Sequence, residues 1–82
     1  MSKLRTLTGQ DLLRIFSAFG FAPVSQRGSH VKLRRLQEQS VRQTLTVVLH
    51  DELDKGTLRA IFRQGLRYIP EPELRPYFFT ED

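Results

Sequence analysis

The chain has two histidines and no cysteine, and one histidine stands where chemistry is possible. His30 follows Gly28-Ser29, a pair suited to a tight turn. From His30 the residues alternate, with His30, Lys32 and Arg34 interleaved with Val31 and Leu33. Successive strand side chains point to opposite faces, so the imidazole and the two cations share one face and the aliphatics the other. Such a face suits a phosphodiester. Cleavage of RNA by its own 2′-hydroxyl needs a base for the hydroxyl proton and an acid for the departing 5′-oxygen. It also needs positive charge where the phosphate gains negative charge. An imidazole, with an ordinary pKa of about 6.5, can do either proton transfer near neutral pH. Lys32 and Arg34 can hold the phosphate, and Arg27, before the turn, can reach it. The plain alternative for His30 is a turn residue bonded locally to backbone.

His50 ends a second alternating run, Thr44 to Leu49, with Leu45, Val47 and Leu49 inward and Thr44, Thr46 and Val48 outward. If the two runs form an antiparallel hairpin whose loop is centred near residue 40, Arg34 faces Thr46, Lys32 faces Val48 and His30 faces His50. A slip of two residues keeps the faces and makes the histidines diagonal neighbours. His50 is thus a second candidate for proton transfer, or simply a strand-end residue. Asp51, Glu52 and Asp54 follow it and, with His50, offer ligands to a divalent ion. Their spacing matches no specific site, and acids before a helix already have a capping role. The expectation is no metal and no cofactor. Farther on, Lys55, Arg59 and Arg63 form a basic stripe at helical spacing, either an RNA contact or a solvated face. Gly56-Thr57 can present backbone N–H groups to a phosphate or merely start the helix.

The elements that position these residues follow from periodicity. Thr8 can cap a helix over 9–19, with Asp11 three residues on and Leu12, Ile15, Phe16 and Phe19 on one face. Gly20 stops it. Phe21 to Arg27 reads as a strand, restricted to an edge or a late start by Pro23. Residues 36–43 read as a hairpin loop. Asp54 can cap a second helix with Leu58, Ile61 and Phe62 as its apolar stripe, and Gly65 reads as its C′ residue beside Leu66. The order α-β-β-β-α implies an α+β fold, a three-stranded antiparallel sheet with two helices on one face. In residues 67–82, Pro70, Pro72 and Pro76 are expected to break regular structure. Tyr68, Tyr77, Phe78 and Phe79 either fold back over the core or dock a partner protein.

Size and charge narrow the functions. With 82 residues the chain is expected to form one domain, too small for a deep cavity. Residues 1–70 carry 12 bases and five acids, a net +7, which favours a polyanionic partner. The lack of cysteine excludes thiolate zinc sites and a thiol nucleophile, and agrees with a cytoplasmic location. No signal peptide or membrane-spanning run is expected.

Together, Thr8-Gly9, Gly20-Phe21, Gly28-Ser29-His30, the strand ending at His50 and Glu52-Leu53-x-x-Gly56-Thr57-Leu58-Arg59-x-Ile61 resemble the HicA (YcfA-like) toxin family. The resemblance covers about residues 7–66, with 67–82 as an extension of the same unit. It implies a fold similar to double-stranded RNA-binding domains. It also implies a small mRNA-cleaving ribonuclease neutralised by a HicB-like antitoxin, with His30 as the catalytic histidine. Val48 departs from a proline common in the family. The reading is therefore a metal-independent endoribonuclease, with His30 and secondarily His50 as catalytic groups. Arg27, Gly28, Ser29, Lys32, Arg34, Lys55, Arg59 and Arg63 are the expected RNA contacts. The alternatives are an RNA-binding module without catalysis and a protein-interaction domain.

Overall fold

A computed structural model of the chain describes residues 2–36 and 41–81. In order the elements are β1 (Ser2–Leu4), α1 (Gly9–Ser17), β2 (Ala22–Arg27), β3 (His30–Leu36), β4 (Arg42–Val48), α2 (Lys55–Gly65), α3 (Glu71–Phe78) and β5 (Phe79–Glu81). Strands β2, β3 and β4 form the expected antiparallel sheet, and β1 pairs with β5 in a second, two-stranded one. The fold is α+β, with helices packed on the three-stranded sheet. Most of the expected hairpin loop, positions 37–40, lies outside the described residues.

Helix α1 begins with a reciprocal cap. Thr8 Oγ1 accepts from the Asp11 backbone N–H at 3.0 Å, and Asp11 Oδ2 accepts from the Thr8 N–H at 2.9 Å. These bonds satisfy two donors that the first turn would otherwise leave free. The apolar stripes of α1 and α2 meet Val31, Leu33, Leu45 and Val47 in one core. The opposite face of the sheet, bearing His30, Lys32 and Thr46, is exposed.

Two expectations need correction. Gly65 is not a residue beyond the helix end; it lies in the last turn of α2 and is buried. A Cβ there would stand 2.6 Å from Leu74 Cδ2 and 3.1 Å from Phe16 Cε1. Glycine at this position lets α3 and α1 approach α2 closely. The prolines, likewise, do not abolish structure after residue 70. Pro72 sits in the first turn of α3, where backbone N–H groups have no intrahelical partner in any case, and a single further proline, Pro76, is carried inside the helix. The expected folding back of this segment is observed. Ile69, Leu74 and Phe78 are fully part of the core, and the Phe78 ring lies 5.2 Å from that of Phe62.

Deleting residues 67–82 removes Ile69, Leu74 and Phe78 together. Truncating one such buried side chain costs about 2–5 kcal/mol, against a total stability of about 5–15 kcal/mol for a domain. The shortened chain is therefore expected to lack a cooperative urea transition, and Leu74→Ala to lower the transition midpoint of the full chain. Acid has a separate effect. The Thr8 backbone N–H above all, then the Thr8 hydroxyl and Arg14, holds the Asp11 carboxyl below the ordinary carboxylate range. Its contribution is complete above the unfolded-state pKa and is lost as pH falls through the lower folded value. Asp11→Asn should flatten the acid limb of a stability-against-pH curve and leave its alkaline limb unchanged.

Candidate active site

The β2–β3 hairpin is built around a two-residue turn. Arg27 pairs with His30 across it, and Gly28 has φ +59°. Open space surrounds a would-be Cβ at Gly28, so this left-handed conformation, and not crowding, favours glycine here. The Gln26 side chain donates to the Gly28 carbonyl at 2.9 Å. The Ser29 carbonyl accepts from the Leu49 N–H at 2.7 Å, which ties the turn to the chain just past β4. That segment is fixed in turn by α1, because the Gly9 N–H donates to the His50 carbonyl at 2.8 Å. A Cβ on Gly9 would come within 2.4 Å of the Val48 carbonyl oxygen and 2.5 Å of Leu49 Cα.

The register differs from the first expectation. His30 pairs with Val48, Lys32 with Thr46 and Arg34 with Thr44. Leu36 stands opposite Arg42, so each partner falls two residues earlier than first supposed and the faces are kept. His50 accordingly lies two residues beyond the partner of His30, outside β4. It is exposed and is not among the residues that line the groove described next.

On the helix-free face a shallow groove of about 390 Å³ is lined by Ser25, Gln26, Arg27, His30, Lys32 and Thr46. It joins two rungs of the sheet, Arg27–His30–Val48 and Ser25–Lys32–Thr46. One imidazole, two cations and three neutral hydrogen-bonding side chains line it, and among the described residues no acid does. Ser25, Gln26 and Thr46 escaped the sequence reading, although the outward position of Thr46 was legible. Arg34 occupies the next rung, half-buried and outside the lining.

The basic stripe of α2 is elsewhere. Gln64 Oε1 accepts from the Thr46 N–H at 3.2 Å and Gln64 Nε2 donates to the Thr46 carbonyl at 3.1 Å, so Gln64 marks the flank of α2 that meets the β4 edge. At about 100° per residue the stripe, centred on Arg59, lies about 140° around the helix from Gln64. Lys55, Arg59 and Arg63 are exposed but do not join the groove. Arg35 also belongs to the basic run in sequence and does something else. It faces the core side, donates to Gln43 Oε1 at 2.8 Å and to the carbonyls of Phe19 and Tyr68 at 2.9 and 3.0 Å, and stacks 4.7 Å from the Phe21 ring centroid.

Of the acids after His50, Asp54 caps α2. Asp54 accepts from the Thr57 backbone at 3.1 Å and from its hydroxyl at 2.6 Å, and these bonds lower the carboxyl's pKa, the hydroxyl bond most. The Thr57 N–H is thereby taken up by the cap. Among the described residues, no three His, Cys, Asp or Glu side chains gather as a possible metal site.

The groove on the open face of the α+β sheet thus carries one imidazole and two cations. Residues 9–66 match the family described as HicA toxin of bacterial toxin-antitoxin systems, and the chain belongs to that family. The family-level function is that of a metal-independent, mRNA-cleaving endoribonuclease toxin. Membership implies an RNA substrate and a HicB-like antitoxin. No curated protein and no solved structure matches the chain. Among the described residues, no helix is long and apolar enough to cross a membrane.

Gly9→Ala should lower the thermal midpoint and shift the His30 imidazole resonances in an NMR spectrum, because the methyl group displaces the segment that latches the turn. Gln10→Ala, at the neighbouring exposed position, should change neither.

Proposed function

We propose that the groove around His30 is the ribonuclease site. The observation that carries this reading is the gathering of His30, Lys32 and Arg27 in one groove. His30 removes the 2′-hydroxyl proton, and the 2′-oxygen attacks the adjacent phosphorus. The bond to the 5′-oxygen breaks, leaving a 2′,3′-cyclic phosphate and a free 5′-hydroxyl. His50, close by in sequence to the cross-strand partner of His30, is the second group able to give the departing oxygen its proton. Arg27 stabilises the charge that builds on the phosphate, Lys32 holds the RNA backbone next to it, and the turn residues Gly28 and Ser29 hold the backbone beside it. Arg34 extends the cationic row, and Lys55, Arg59 and Arg63 meet more distant parts of a long RNA. The whole 82-residue chain works as one unit in the cytoplasm, without cofactor or metal, and a HicB-like partner covers the groove with acidic groups.

General acid–base catalysis contributes about 10²–10⁴ in rate. His30→Ala is expected to lower mRNA cleavage by at least that lower figure and to relieve growth arrest on induced expression, with the circular dichroism spectrum unchanged. A chelator should leave cleavage by the parent unaffected. A folded His30→Ala protein that cuts RNA as fast as the parent removes His30 from the mechanism.

A further inference from the structure

The groove ends where the cationic row does not. Lys32 is the last of the row to line it, yet the outward side of β3 continues to Arg34, flanked by Ala22 on β2 and Thr44 on β4. Both neighbours are short side chains. Arg34 Nε is buried, and among the described residues it has no hydrogen-bond partner and Arg34 forms no salt bridge. A desolvated donor without an acceptor is costly and uncommon in a folded protein. Its neighbour Arg35, on the other face, has its guanidinium bonded to Gln43, Phe19 and Tyr68. One arginine of the pair is thus committed to structure, and the other is left with bonding capacity on the face that carries His30.

Spacing says what Arg34 would bind. Outward residues of one strand recur every two positions, about 6.8 Å apart. The phosphates of an extended single strand of RNA repeat at a comparable distance. No aromatic side chain lines the groove, so there is no platform for base stacking of the kind that sequence-selective single-strand readers use. We propose that β3 is a phosphate track for extended single-stranded RNA, with the scissile phosphate at His30, the next at Lys32 and the third at Arg34. This rests on His30 marking the site of cleavage. It makes Arg34 a remote binding residue, and the recognised feature is the sugar–phosphate backbone more than the bases. An A-form duplex is refused for a geometric reason as well, since it holds the 2′-oxygen out of line with the departing 5′-oxygen.

The test uses DNA strands carrying a single ribonucleotide, which fixes the cut, with zero to four further phosphates on one side or the other. For the parent, kcat/KM should rise about tenfold when the second phosphate beyond the scissile one is added on one side. Arg34→Gln should abolish that step and reduce the slope of log kcat/KM against log salt by about 0.7. Arg34→Lys should restore part of the step. An equal loss on substrates of every length, or no loss on any, overturns the track. So does equal cleavage of a duplex containing the same ribonucleotide. His30→Ala, run beside these on the longest substrate, keeps the two readings apart. If His30→Ala is inactive and no length step exists, only the track fails; if His30→Ala is fully active, the site assignment fails with it.

Discussion

The site depends on a contact too close for a methyl group. Gly9 presses the first residue of α1 against the backbone of residues 48–50, and the same segment bonds to the Ser29 carbonyl in the β2–β3 turn. The helix start, the end of β4 and the β2–β3 turn therefore share one chain of backbone contacts. Thr8 and Asp11 anchor the helix end of that chain through their reciprocal cap. Backbone-to-backbone links of this kind are stiffer than side-chain bridges, which lose rotamer freedom to form. They hold an exposed imidazole in place without burying it, and a shallow groove has few other means of doing so.

Strand β3 divides its labour by face. Val31 and Leu33 are buried in the core while His30 and Lys32 face the groove. The division fails at Arg35, a charged residue turned toward the core side, and the failure is compensated in full view. Its guanidinium joins the end of α1, the turn after α2 and the Gln43 side chain of β4, and rests on the Phe21 ring. Gln64 does comparable work at the other side of the sheet, where it meets both polar backbone groups of Thr46 and covers that part of the β4 edge.

Much of this was legible in the sequence because local patterns decide it. Alternation placed His30, Lys32 and Arg34 on one face, and the Thr8 and Asp54 caps located both helix starts. The residues that were missed are set by long-range geometry. A register two residues from the supposed one moved every partner and left His50 past the end of β4, and nothing in the local alternation distinguishes the two registers. The α2 stripe was correctly read as a basic flank, but which way the flank turns depends on Gln64 meeting Thr46, a contact 18 residues away in sequence. The role of Arg35 was not legible because its three acceptors lie on other elements. Gly65 looked like a helix stop because a sequence does not show Leu74 and Phe16 converging on it. Proline rules misjudged α3 for a similar reason: tertiary packing of Leu74 and Phe78 outweighs the bond that Pro76 forfeits.

The segments outside the family match explain how so small a chain can leave one sheet face bare. Residues 9–66 contain the site, but β1 and β5, which pair with each other, and α3 lie beyond that range. They add Leu74 and Phe78 to the core and Arg5-to-Pro76 and Arg5-to-Phe78 bonds at its margin. Apolar burial is the main favourable term in folding and is limited in a chain of this length. Extra burial supplied through the helical side of the sheet offsets what the open side does not bury. In the proposed mechanism RNA brings its own nucleophile, so the open side needs only an imidazole and positive charge, not an enclosed cavity. A polar, cationic face would weaken the core if it were covered by apolar groups, so keeping it wet serves stability and substrate access together.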